Sequence, residues 1–214
     1  MITVKSFIFN EFQVNTYILS DESGECIIVD PGCNNAQSQN ELSGYIAARA
    51  LHPVMLINTH GHIDHIAGNR YVQTTYKIPL AMHSQDSFLL RRARHFADLF
   101  SFSADESPLP EQLLEDGDIV RFGNSVLSVL HIPGHSPGSI VLYSAESRLL
   151  ISGDVLFSGS VGRSDLPGGN HRILIKGIDE KLMVLPRDTA VYPGHGPATT
   201  IGDEYDTNPF LQGR

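Results

Sequence analysis

Four side chains able to hold a metal ion fall within six residues. They are His60, His62, Asp64 and His65, in the run Thr59-His60-Gly61-His62-Ile63-Asp64-His65. In extended backbone, residues two apart point the same way, so His60 and His62 converge on one point. Asp64 and His65 follow where the chain turns into a helix, and they face a second point a few ångströms from the first. Imidazole nitrogen and carboxylate oxygen suit zinc, iron or manganese. A histidine-rich surface loop is the plain alternative. It is set aside because the run directly follows the apolar segment 54–58, and because structural zinc sites use other ligand sets and spacings.

Three more residues join this set. His135 lies in the segment 131–138, Asp154 in 151–157 and His195 in 192–197. Each follows an apolar strand pattern and stands beside glycine, which lets backbone approach closely where loops gather into a site. His131 reads as a core histidine or as a support behind a ligand. His52, His83, His95 and His171 show no clustering and read as surface or helix-cap residues.

The elements that must position these groups follow from hydrophobic periodicity. Residues 2–9, 15–20 and 25–30 alternate as strands, and the turn Asp21-Glu22-Ser23-Gly24 joins the last two as a hairpin. A helix is expected over 38–50, with Ser38 as N-cap and Glu41 completing a capping box. Residues 54–58 form a strand buried on both faces. Helices follow near 66–76 and over 84–100. In the second, Arg91, Arg92 and Arg94 face solvent, and Phe88, Leu89, Phe96 and Phe100 supply apolar area. Residues 101–117 read as loop. Strands are expected at about 118–122, 125–131, 139–144, 148–152 and 189–192, with a helix at 171–182. Both halves mix hairpin strands with helices, which suggests two sheets packed face to face with helices outside, in one domain over 1–214.

The 214 residues are 41% hydrophobic and 18% charged, with a formal net charge of −9. That composition is globular and long enough to bury a core. The acidic balance argues against nucleic acid as the partner. Cys26 and Cys33 are read as reduced thiols. No signal peptide and no membrane span is read, so the expected location is the cytoplasm.

Taken together, Thr59–His65, Pro133-Gly134-His135, Ser152-Gly153-Asp154 and Pro193-Gly194-His195 resemble the metallo-β-lactamase superfamily, in the family's order. Residues 131–139, Gly153–Phe157 and 162–169 look most similar to glyoxalase II (hydroxyacylglutathione hydrolase) and its short bacterial relatives. The resemblance implies a four-layer αβ/βα sandwich of two mixed sheets, an α/β (α+β) fold with the site at one edge. It implies that His60, His62 and His135 hold one metal ion, that Asp64, His65 and His195 hold a second, and that Asp154 bridges both. Two divalent ions are therefore expected, zinc first, with iron or manganese as the other choices. Asp30 resembles the family's Val-Asp-Pro-Gly turn and could support a histidine ligand; it could equally be a turn former before proline.

The implied activity is hydrolysis of a small-molecule thioester such as S-lactoylglutathione by a metal-bound hydroxide. Asp64 would both ligate and orient the nucleophile. Arg163 could meet a substrate carboxylate or simply pair with Asp165. Only 19 residues follow His195, too few for the helical C-terminal region of the long glyoxalase II enzymes. Other readings are a mononuclear iron persulfide dioxygenase, a hydrolase of another ester, lactone or phosphodiester, and a non-catalytic binding protein. The β-lactamases of the superfamily lack an aspartate at the position of Asp154, which counts against that branch.

Overall fold

Alternation along the strands sends successive side chains to different layers. Ile18 and Ile28 pack to one side of their sheet, and Leu19, Ile27 and Val29 to the other. In the second sheet Ile140, Leu142, Leu149 and Ile151 face inward, whereas Val141 and Leu150 face the opposite side. Such strands have two buried faces, and each face needs a covering layer.

The computed structural model describes residues 1–100 and 102–212, without the side chains of Arg94, Phe96, Leu99 and Phe100. The first half contains β1 (Thr3–Phe9), β2 (Val14–Ser20), β3 (Glu25–Val29), α1 (Ala36–Ala48), β4 (His52–Ile57), α2 (Ile63–Ile66), α3 (Asn69–Tyr76), β5 (Leu80–His83), α4 (Ser87–Arg91), α5 (Ala93–Phe100) and β6 (Gln112–Leu114). The second contains β7 (Ile119–Phe122), β8 (Ser125–His131), β9 (Ile140–Ser144), β10 (Leu149–Gly153), β11 (Leu156–Phe157), β12 (Ser160–Val161), α6 (His171–Lys181), β13 (Ala190–Pro193), β14 (Thr199–Thr200) and α7 (Ile201–Thr207).

Two six-stranded sheets result, ordered β1-β2-β3-β4-β5-β6 and β14-β13-β10-β9-β8-β7. Both are mixed. In the first, the β1, β2 and β3 pairings are antiparallel and the rest parallel. In the second, β10 runs parallel to β13 and the other pairs are antiparallel. The inner faces meet in one core that includes Tyr17, Ile57, Phe122 and Val129. Leu42 and Ile46 of α1 and Val72 of α3 cover the outside of the first sheet, and Leu174 and Ile178 of α6 cover the second. This is the expected αβ/βα sandwich. Among the described residues no helix is long and apolar enough to cross a membrane.

Several local expectations are corrected. α1 starts at Ala36, and its N-cap is Asn35, whose side chain accepts from Ser38 N; Ser38 is the return partner of that box. The helix near 66–76 is two pieces separated at Gly68, where the chain presses on residues 31–33: a Cβ there would lie 2.5 Å from Cys33 Sγ. The span 84–100 is a 3-10 turn followed by two helices that break at Arg92. Within it Leu89 is buried and Arg91, Arg92 and Phe88 are exposed, while the side chains of Arg94, Phe96 and Phe100 lie outside the described residues. Strand β6 lies inside the segment read as loop, and β5, β14 and α7 were not anticipated. Cys26 and Cys33 are both buried free thiols.

Candidate metal centre

The strands β4, β8, β10 and β13 end on one edge of the sandwich, and the segments that follow them carry the histidines and aspartates singled out above. After β4 the chain bends at Thr59 and His60, is extended at His62 (φ −70°, ψ 149°) and then enters α2, which carries Asp64 and His65. The change from period two to helical period sends Asp64 and His65 toward His195, while the His65 ring still packs 4.1 Å from the His60 ring.

Two groups of ligand atoms form. His60 Nε2, His62 Nδ1 and His135 Nε2 lie 2.9–3.2 Å apart. Asp64, His65 and His195 form the second, with His195 Nε2 3.2 Å from Asp64 Oδ2 and 3.2 Å from His65 Nε2. Asp154 touches both: Oδ2 lies 3.5 Å from His135 Nε2 and 3.6 Å from His195 Nε2, and Oδ1 lies 3.4 Å from His65 Nε2. All seven predicted ligands are therefore brought together. Arg163 is not: its guanidinium makes an exposed ion pair with Asp165, and only its backbone reaches the cluster.

The chemistry of this donor set fits divalent cations. His135 Nδ1 is 2.8 Å from Arg163 O, and a carbonyl only accepts, so Nδ1 carries the proton and Nε2 a lone pair. Thr59 Oγ1 donates its single proton to Asp30 Oδ2 at 2.5 Å, so it accepts from His60 Nδ1, which again leaves Nε2 bare. Two lone pairs then face each other 3.2 Å apart. Unpaired lone pairs are costly in a buried place, and a cation between them removes the cost. In the second group His65 Nδ1 donates to Asp30 Oδ2 at 2.9 Å, which aims Nε2 at the two carboxylates. Asp154 Oδ1 is buried without a hydrogen-bond partner among the described residues.

Charge tells the same story. Burial, reinforced by His135, pushes His62 down to about 3, and burial with His65 and His62 pushes His60 well below its ordinary value, so both are neutral. Burial acts against a charged His65, yet Asp64, Asp154 and Asp30 outweigh it and push His65 well up. Burial alone would raise Asp154; His65, His135 and His195 overcome it and hold the carboxyl below the usual range. The carboxylate half thus favours positive charge, and His60 and His62 offer neutral nitrogens.

Supporting contacts account for how the ligands are held. Asp30 combines both readings offered for it: it turns the chain with φ 49°, and it orients His65 while binding Thr59 N at 2.8 Å. Three supports carry no sequence signature. Asp86, fully buried, accepts from Gly61 N (2.9 Å), Ser136 Oγ (2.7 Å) and Gly138 N (2.6 Å). Asn15 Nδ2 donates to Pro193 O and Gly196 O, each at 2.9 Å, and Tyr17 OH donates to Pro193 O at 2.7 Å; together they fix the turn that carries His195. His131 acts as a support: its Nε2 donates to Pro137 O at 2.8 Å, beside the His135 turn. His83 is buried and stacked on His131 at 3.8 Å, which corrects its reading as a surface residue, although it does cap the 3-10 turn by accepting from Gln85 N. His52 and His171 are exposed, as is His95.

Gly194 shows how closely this edge is packed. A Cβ there would lie 2.1 Å from Asp154 Oδ1 and 2.7 Å from His65 Cε1. Gly194→Ala is expected to displace both ligands, cost about 1–3 kcal/mol in overpacking and lower the metal content per chain. Wild-type metal content and an unchanged melting temperature in this variant would contradict the geometry.

Residues 9–195 match the model of the metallo-beta-lactamase superfamily. The chain belongs to that superfamily. It is 38% identical over 202 residues to the probable metallo-hydrolase YqgX of Bacillus subtilis, covering 94% of this chain and 93% of that protein. It is 32% identical over 205 residues to hydroxyacylglutathione hydrolase GloC of Haemophilus influenzae, covering 95% of each. Among solved structures, BLEG-1, titled a B3 metallo-beta-lactamase, superposes with a TM-score of 0.91 at 37% identity, covering 99% of this chain and 100% of that one. TTHA1623, solved in a di-iron-bound form, superposes at 0.86 with 35% identity, covering 97% and 100%. The superfamily fold implies divalent metal ions, and the clusters at this edge are where its chemistry would sit.

Proposed function

We propose that this chain is a hydrolase that uses two divalent metal ions to cleave a small-molecule thioester, with S-lactoylglutathione as the first substrate to try. The observation that carries the reading is Asp154, a single carboxylate of 11% side-chain exposure within 3.6 Å of ligand nitrogens from both histidine groups. His60, His62 and His135 would hold the first ion and Asp64, His65 and His195 the second, with Asp154 within reach of both. Zinc, iron and manganese all suit these donors.

Bound in pairs, such ions supply Lewis acidity and a water of lowered pKa at neutral pH. The chain's own residues do the rest. Asp64 is partly open at 13% side-chain exposure, so besides ligating, its carboxylate would be placed to orient a water at the site. His195, 28% exposed, marks the mouth of the site, and the Phe157 ring lies 6.4 Å from it. No further acid stands among the seven residues, and a thiolate needs none, because a thiol pKa is only about 8.5. Arg163 spends Nε and Nη2 on Asp165, and water screens that exposed pair.

The leaving-group argument and the 32% identity to GloC support a thioester as the substrate class. A β-lactam is the second substrate class, because the BLEG-1 structure at 37% identity carries that title; its amine leaving group does need a proton. The test compares S-lactoylglutathione, other acyl thioesters, a cephalosporin and a glutathione persulfide on metal-loaded protein. Thioester turnover with kcat/KM at least ~10²-fold above the cephalosporin is expected, a gap of about 2.7 kcal/mol in barrier. Oxygen uptake with the persulfide at one iron per chain would overturn the reading, as would turnover of the β-lactam alone.

A further inference from the structure

Asp86 lies outside the seven residues of the metal centre, yet its contacts sort along the division between the two groups. Its Oδ2 accepts from Gly61 N, the peptide between His60 and His62, and from Ser136 Oγ, the residue after His135. Its Oδ1 accepts from Gly138 N in the same turn as His135. Every segment that supplies the first group thus ends on one carboxylate, and no hydrogen bond joins that carboxylate to Asp64, His65 or His195 among the described residues. The two segments come from different sheets, one after β4 and one after β8. The β5–α4 turn that carries Asp86 reaches between them.

We infer that Asp86 is a positioning residue for the first metal ion: it locks the His60–His62 segment to the His135 turn and so sets the spacing of those three nitrogens, independently of the second ion.

Three features make the role specific to a carboxylate. It accepts three hydrogen bonds and donates none, and all three donors are buried with it. An amide cannot copy this. In either orientation its NH₂ meets the Gly61 or the Gly138 N–H, donor against donor, and only Ser136 can rotate away, toward Ser139 Oγ at 2.7 Å. Size is fixed as well. A Cβ on Gly61 would lie 2.8 Å from Leu89 Cβ and 3.1 Å from Asp86 O, and one on Gly138 would lie 2.7 Å from Asp86 N. The backbones close on Asp86 with no room for a longer reach.

The inference rests on the dinuclear reading above, and its test separates the two. Metal-free wild-type protein is titrated with Zn²⁺ by calorimetry against a competing chelator, beside His135→Ala and His195→Ala, which assign the two binding phases. In Asp86→Asn the phase missing from His135→Ala should weaken roughly 10- to 100-fold, the usual loss when a group behind a ligand is removed. The phase missing from His195→Ala should stay within about threefold, as expected where coupling is local. A role in general stability would weaken both phases alike, and that result overturns the inference; so does an unchanged first phase. If Asp86→Asn does not fold, Ser136→Ala removes one of the three bonds. A severalfold loss confined to the first phase then supports the role, and two unaltered phases refute it. A wild type without two phases defeats the dinuclear reading itself.

Discussion

Asp154→Ala should lose at least ~10³-fold in hydrolytic kcat, about 4 kcal/mol of transition-state stabilisation, and bind no more than one metal ion per chain. Its carboxylate lies against ligand nitrogens of both sets, at 3.4 Å from His65, 3.5 Å from His135 and 3.6 Å from His195. An alanine leaves each set with three ligands and nothing shared between them. Asp154→Asn separates charge from shape. The amide fills the same volume but brings no negative charge to a place where three histidines now hold the carboxylate ionised. Most of the alanine effect should therefore appear in the asparagine variant. Steady-state kinetics and metal analysis on the same preparations check this, and near-normal kcat with one ion fewer would show that the bridge is not needed for turnover.

Metal removal should have the second largest effect, and it should register in folding as well as activity. A ligand that binds only the folded chain stabilises it by RT ln(1 + [L]/Kd), about 4.1 kcal/mol per site at a thousandfold excess over Kd. For a chain of this length one kcal/mol moves the melting temperature by about 2–4 °C, so one emptied site predicts a fall of roughly 8–16 °C. The direction follows from the site itself: bare nitrogens at 3.2 Å and an unpartnered carboxylate oxygen at Asp154 are left behind. Turnover should vanish with the metal and return on reloading. A scanning melt with and without chelator gives the shift, and unaltered melting with full activity after chelation would refute the role of metal.

The convergence of the seven candidate side chains was legible because their residue types are rare and the spacing of the first four is local. Four metal-binding groups in six residues, together with His135, Asp154 and His195 at strand ends beside glycine, need no knowledge of the tertiary structure. The layers were legible for a related reason, since strands such as Ile140–Ser144 have two apolar faces and require cover on both. The supports were not. Asp86, Asn15 and Tyr17 are ordinary residue types, and their partners lie between 25 and 181 residues away along the chain. Short elements escaped too: β5 has four residues and β6 three, too few to show a period. The α1 boundary shifted because Asn35 and Ser38 are both good caps, and only the fold decides which comes first. The thioester preference is a different matter, because it depends on what lies beyond the ligands, where Arg163 is occupied by Asp165.

The central claim is that two ions share one bridging carboxylate. Anomalous scattering from crystals of the metal-loaded protein, measured on both sides of the metal's absorption edge, tests it most directly. Two peaks about 3.5–4 Å apart, one beside His60, His62 and His135 and the other beside Asp64, His65 and His195, with Asp154 between them, are the predicted result. A single peak at full occupancy, or two peaks with Asp154 bound to neither, would contradict it.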